Sequence, residues 1–447
     1  MNRKIRLIII TIVLISANAY AQDQNNSYNY IKLPVIETPY NFSSGYSFPG
    51  MSQSLFITAG VSKATHQVIY GLFEQDKNCL QFAAFVIWDY FLFTLPGGPA
   101  WLHEEWHRAV MGQYGIDSYN DVYKFDLFAD TIAVSHVKDE DLAYLKENHN
   151  PDMVRLAEAG NETEIELTRE YRRDSFFNTR PIRYELFQMW LTLINSSYYV
   201  IMCGTDEADT MTEQMNHDDG TDIPKRDFTG LDFTAWIYDL SRPDELYSAR
   251  GVHPSGTGID RYIKYSDLSD SEKKYLKKTG WLTLLNFISP QLFGIERFAL
   301  PDTSGSGSSQ LNFMMIHHLT SFGNDIILSL LYKKDDLNIE TSFHCYNNEK
   351  NYFPGMEIAV KRYPVSIFRR EIYTDCKIMA YSQPEDQEFR EDDSEPGGMI
   401  GAGFSIPLPD KDIEFFIEGD AKSDGWIEGN LYLGQSIQMR SGIIIHI

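Results

Sequence analysis

Residues 102–108 read Leu-His-Glu-Glu-Trp-His-Arg, two histidines four apart with a glutamate directly after the first. On a helix, His103 and His107 lie one turn apart on the same face, so both imidazoles reach one metal ion. Glu104 sits beside them as a general base. Zinc lowers the pKa of a water toward neutrality, the carboxylate takes its proton, and the oxygen attacks a carbonyl that the metal polarises. The plain alternative is an amphipathic helix whose histidines and glutamates face solvent. Ahead of the motif, Leu95-Pro-Gly-Gly-Pro-Ala100 breaks the chain and starts a helix with Pro99 in its first turn, which should stop near Gly112 or Gly115.

This segment resembles the active-site helix of the zincin metallopeptidases. The resemblance implies zinc as cofactor, His103 and His107 as its ligands, Glu104 as the base, and a peptide or protein as substrate. After His107 the chain reads Arg-Ala-Val-Met-Gly-Gln-Tyr-Gly, with no third histidine. The layout is similar to that of glutamate-zincins and of integral-membrane zinc peptidases, where an acidic ligand comes from a later helix. The expected donor is Glu162, in the stretch Leu156–Glu166, where Ala157, Ala159 and Gly160 let the two helices approach closely. Glu158, Glu164 and Glu166 remain alternatives.

Other chemistry-bearing residues signal less. His136 reads as a hydrogen-bonded core residue. His317 and His318, adjacent in a strand, point to opposite faces. Asp227 to Asp239 offers carboxylates flanked by aromatics that line a cleft or half-bury a helix. Gly251 to Gly258 is a loop without the Lys-Ser or Lys-Thr of a phosphate site, and no GxSxG elbow is present.

The elements that position these residues fall into two kinds. Residues 1–21 read as an export signal: Arg3, Lys4 and Arg6, an apolar run from Leu7 to Ile15, then Ala19-Tyr-Ala21 for cleavage. Residues 22–302 form a mainly helical region, with apolar runs at Leu80–Leu95, Leu186–Cys203 and Trp281–Phe293 that fit buried helices better than membrane spans. A Ser/Gly linker at 303–310 follows. From 311 to 447 the hydrophobic period drops to two, as in Leu337, Ile339, Thr341, Phe343 and Cys345, giving roughly eight antiparallel strands of about ten residues. The expected class is α+β, the strands closing as a small eight-stranded barrel similar to those of outer membranes, apolar outside and polar within. A soluble sheet packed on the helices has the same alternation.

The chain has 447 residues and a net charge of −24, which excludes a nucleic-acid partner because binding a duplex needs a positive surface. Four scattered cysteines make no disulfide framework, although Cys345 and Cys376 could pair across strands. The expectation is an exported zinc metallohydrolase, a peptidase, in the outer membrane or periplasm of a double-membraned bacterium. Against it stands a non-enzymatic outer-membrane or periplasmic binding protein in which the HExxH is coincidental.

Overall fold

Ten α-helices and a ten-stranded antiparallel sheet make up the described part of the chain, residues 30–45, 48–73, 78–125, 132–178, 180–301, 309–367, 369–409 and 412–447 of a computed structural model. The export signal falls outside these residues, as does the linker up to residue 308.

The helices are α1 (Tyr40–Ser43), α2 (Met51–Leu72), α3 (Asn78–Leu92), α4 (Pro99–Gln113), α5 (Asp139–Asn148), α6 (Asn150–Phe177), α7 (Leu186–Cys203), α8 (Glu207–Asp219), α9 (Asp232–Ser241) and α10 (Asp270–Leu282). α4 begins at Pro99, whose missing N–H costs nothing in a first turn, and the chain leaves it through Gly115 at φ 68°. α6, the longest, is the axis of the molecule. Its first half crosses α4, and Leu156 and Ala159 share one core with Leu102, Trp106 and Val110 of that helix. Its second half lies against the sheet, where Ile165, Phe176 and Phe177 pack on Met314, Ile316 and Ile327. The run at Trp281–Phe293 is not one helix: after α10 it continues as two 3-10 turns, broken at Pro290. No helix among the described residues is long and apolar enough to cross a membrane.

The strands are β1 (Tyr30–Thr38), β2 (Tyr119–Asn120), β3 (Val134–Ser135), β4 (Phe298–Leu300), β5 (Ser309–Thr320), β6 (Gly323–Lys334), β7 (Leu337–Asn347), β8 (Tyr352–Ile367), β9 (Arg370–Pro384), β10 (Ser394–Pro407), β11 (Ile413–Lys422) and β12 (Ser436–His446). β2 and β3 pair with each other. The rest form one sheet in the order β1-β12-β11-β10-β9-β8-β7-β6-β5-β4.

The α+β class and the eight strands after the linker match the expectation, but the closed eight-stranded barrel does not. Two further strands from the helical region, β1 and β4, extend the sheet to ten, and these two ends are not paired with each other among the described residues. Protein from the helical region covers both ends instead. Ile31 and Leu33 of β1 lie against Gly60 of α2, while the Met315 N–H on β5 donates to the Ile288 carbonyl at 2.9 Å. Cys345 and Cys376 are free thiols on β7 and β9, with β8 between them, so no cross-strand bridge forms.

Candidate metal centre

His103 and His107 project from one face of α4, their ring centroids 4.9 Å apart. The acidic residue that meets them is Asp232, the first residue of α9. Its Oδ2 lies 3.2 Å from His103 Nε2 and 3.6 Å from His107 Nε2, and one ligand atom from each of the three residues falls within 4.8 Å of the others. Gly230, at φ 74° and packed on Tyr262, makes the turn that delivers Asp232. The Asp232 N–H donates to the Tyr199 hydroxyl at 3.0 Å. Standing at a helix N-terminus also favours its negative charge. Burial opposes ionisation, but the His107 and His103 imidazoles outweigh it and hold the Asp232 carboxyl down at about 2.

The histidines are oriented from behind. His107 Nδ1–H donates to the Leu156 carbonyl of α6 at 2.6 Å, which leaves Nε2 as the lone-pair nitrogen. That Nε2 is buried and has no hydrogen-bond partner. His103 Nδ1 faces Glu164 Oε1 at 3.5 Å, and Asn195 Nδ2 donates to that same oxygen at 3.2 Å. The Phe228 ring sits 4.9 Å from the His107 ring.

Gly160 supplies the space. A Cβ at this position of α6 would stand 2.2 Å from His103 Nε2 and 2.5 Å from His107 Nε2, so any side chain would occupy the point where the two nitrogens converge. The cluster is enclosed: His107 is fully buried and Asp232 is 4% exposed, while His103 and Glu104 each keep 8%. What exposure remains is on the His103–Glu104 side. Burial pushes the Glu104 carboxyl well above its usual range. His103 opposes that shift, and the charges of Asp227, Asp232 and Asp121 add to it. Its neighbour Glu105 is structural: Arg108 Nη1 donates to it at 2.6 Å and Asn120 Nδ2 at 2.9 Å.

Glu162 does not join the histidines. It lies two residues beyond Gly160, about 200° around the helix, and faces the β region. There its Oε1 accepts from the Gly429 N–H at 2.7 Å and its Oε2 pairs with Arg155 at 3.1 Å. Glu158 is held by Arg155 at 2.8 Å and by the Trp426 indole N–H at 3.0 Å, and Glu166 pairs with Arg169 and His318. Of the four glutamates named from sequence only Glu164 reaches the cluster, and it does so behind His103. The small residues did mark the close approach of α6, but Asp232 takes the acidic place. Its only sequence signal was the aromatic-flanked stretch Asp227–Asp239.

Two imidazole nitrogens, one of them buried without a hydrogen-bond partner, a carboxylate oxygen and a cradle kept clear by glycine fit a zinc ion held by three protein ligands. A second His–carboxylate group, Asp325, His344 and Glu428, lies on the inner face of the sheet. There the His344 Nδ1–H donates to Asp325 at 2.7 Å and Arg169 neutralises Glu428 at 2.9 Å, so the group reads as an ion-pair network between sheet and α6. His317 and His318 are both fully buried. His317 Nε2 lies 2.8 Å from Asn324 Oδ1.

Comparison with models of known families, with curated proteins and with solved structures gave no match in any of the three.

Proposed function

We propose that this protein is a zinc-dependent metallohydrolase acting on amide bonds, a peptidase, with His103, His107 and Asp232 as metal ligands and Glu104 as general base. The observation that carries the reading is the convergence of those three buried donors within 4.8 Å, next to a glutamate one residue along the same helix. Bound there, zinc would act as a Lewis acid on the substrate carbonyl and acidify a water that it holds.

The chain's own residues supply the rest. Leu156 fixes the His107 tautomer and Glu164 steadies the His103 ring, so neither imidazole has to reorganise during turnover. Glu104, largely withdrawn from water, accepts the proton of the attacking water on a carboxylate oxygen and passes it to the departing amine. The narrow exposed side of the cluster restricts what can enter and keeps bulk water from competing.

Metal analysis of the protein purified without chelator tests this. About one zinc per chain is expected, none after His103→Ala/His107→Ala, and wild-type zinc in Glu104→Gln with hydrolysis of a peptide library lost by about 100-fold or more. No zinc in the wild type after reconstitution, or equal metal loss in Glu104→Gln and His107→Ala, would overturn the assignment.

A further inference from the structure

β5 and β6 bury Met314, Ile316, Ile327 and Leu331 against α6, but along much of β10 and β11 polar side chains turn inward and large apolar ones turn outward. On β11, Glu414, Asp420 and Lys422 are buried, while Phe415 and Ile417 are 55% and 47% exposed. On β10 the inward Ser405 is buried between the exposed Phe404 and Ile406. The inward side chains and the second half of α6 line a partly open cavity of about 240 Å³, with charges of both signs such as Lys32, Arg173, Lys361, Asp375, Glu418 and Arg440.

The outward residues run as continuous rows across the strands. Ile358, Ile378, Ile400, Ala421 and Ile437 stand in direct register from β8 to β12. Ile378, Ile400 and Ile437 are 60%, 65% and 75% exposed. Leu328, Phe343 and Met356 make a second row across β6, β7 and β8. A third is made by Ile406, Phe415, Ile443 and Leu33. No charged side chain interrupts these rows. Charges collect at the two rims, at Lys333–Asp336 and Arg369–Glu371 on one and at Glu349, Lys350 and Glu391–Asp393 on the other.

A sheet that covers a core against water does the opposite, burying apolar residues and exposing polar ones. Contiguous apolar surface on this scale is foreign to soluble monomers. We propose that the outer face of this sheet is a wall in contact with the hydrocarbon of a lipid bilayer, its two free edges closed by other segments of the same chain instead of by a strand-to-strand seam. Strands of 10 to 16 residues meet the roughly 9–11 that a tilted membrane strand needs.

The open ends are the obstacle, since unpaired backbone cannot face lipid. At one end α2 covers β1. At the other, Asn312 Nδ2 on β5 donates to the Ile295 and Glu296 carbonyls at 3.0 and 2.6 Å, and the Ile288 carbonyl accepts from Met315. Apolar side chains are also exposed on α2, at Val68 and Leu72, and on the segment at the other end, at Phe293 and Ile295. A second copy of the chain, docking face to face, would cover only part of a surface that follows the strands around the cavity.

The inference is independent of the metal assignment, and its readout is physical. The free thiols of Cys345 and Cys376 sit on the outward face, flanked by Phe343 and Ile378. With Cys79 replaced by serine, nitroxide labels on these two cysteines report contact with lipid-soluble oxygen against a water-soluble nickel chelate. The full chain is reconstituted in phosphatidylcholine–phosphatidylglycerol vesicles. Oxygen contact exceeding chelate contact several-fold at both positions, with flotation alongside the vesicles, is the expected result. Ile378→Lys/Ile400→Lys should abolish flotation, whereas the rim variant Lys334→Ala should float like the wild type. A detergent-free monomer in water would overturn the proposal. So would a water-soluble dimer with both labels shielded, since that makes a second copy the occupant. Labels equally open to the chelate in vesicles would overturn it too, whatever the folding of the lysine variant.

Discussion

Gly160 is where the candidate centre is most exposed to a single atom. Ala is the better helix former by roughly 1 kcal/mol, but moving two buried imidazoles aside costs about 1–3 kcal/mol, so Gly160→Ala should leave the thermal stability of the metal-free protein unchanged or lower. The added methyl would stand on both Nε2 atoms, and zinc affinity, read by competition with a chromogenic chelator, should fall at least tenfold. Unchanged affinity would mean that the ion does not sit between α4 and α6. The ligand choice has its own contrast. Asp232→Asn should lose the metal. Glu162→Gln should keep it and instead cost about 1–3 kcal/mol, because Arg155 and Gly429 lose the carboxylate they share. His103, Glu104 and His107 were legible in sequence because helical periodicity alone places them together. Asp232 was not, since its approach depends on how α9 docks, and no local spacing encodes that. Gly160 was legible as a small residue, but not as the one facing the nitrogens.

Between elements, the helical layer is tied by buried charge. His66 of α2 approaches Asp89 of α3 at 2.6 Å and Glu185, at the start of α7, at 3.3 Å, while Arg180 donates to Glu185 at 2.5 Å. Burial would strip the proton from His66, yet the Asp89 and Glu185 carboxylates outweigh it and push the imidazole up to about 9. Because His66 holds its proton more tightly folded than unfolded, its stabilisation is complete below about pH 6.5 and disappears as pH climbs through 9. Burial pushes Asp89 up as well, which subtracts from the gain. Arg180 and His66 hold Glu185 at about 2 against burial, so its share is present above about pH 4.5 and lost as pH falls toward 2. The melting temperature should therefore decline between pH 7 and 9.5. His66→Gln should flatten that decline and cost roughly 3 kcal/mol near pH 6; a wild-type curve level across this range would contradict the paired state. Motif-level elements such as α4 and the strands after the linker could be read from period and breakers. β1 and β4 could not, because each depends on an edge that only the folded sheet supplies. Alternation likewise marked the two faces of the sheet without saying which would be buried.

On the scale of the whole molecule, α6 makes helices and sheet a single body. One side presents Gly160 to the histidines of α4. Another reaches the loop between β11 and β12, where Arg155 Nη2 donates to the Asn430 carbonyl at 2.6 Å and Trp426 Nε1 donates to Glu158 at 3.0 Å. Farther along, Arg169 and Arg173 pair with Glu340 of β7 at 3.0 and 2.7 Å. Taking the sheet away would bare Ile165, Phe176 and Phe177 of α6 to water and remove Glu340 from Arg169 and Arg173, so the helical region should not persist as an independent domain. The full chain in detergent should thus unfold in one transition, in which helical ellipticity, sheet hydrogen exchange and metal release share a midpoint. Trp426→Phe, which keeps the ring but removes the N–H that Glu158 accepts, should lower that common midpoint by the equivalent of about 1–3 kcal/mol without separating the three signals. Metal release well below the loss of sheet protection would instead show that the candidate centre and the sheet are energetically separate, with α6 only touching both.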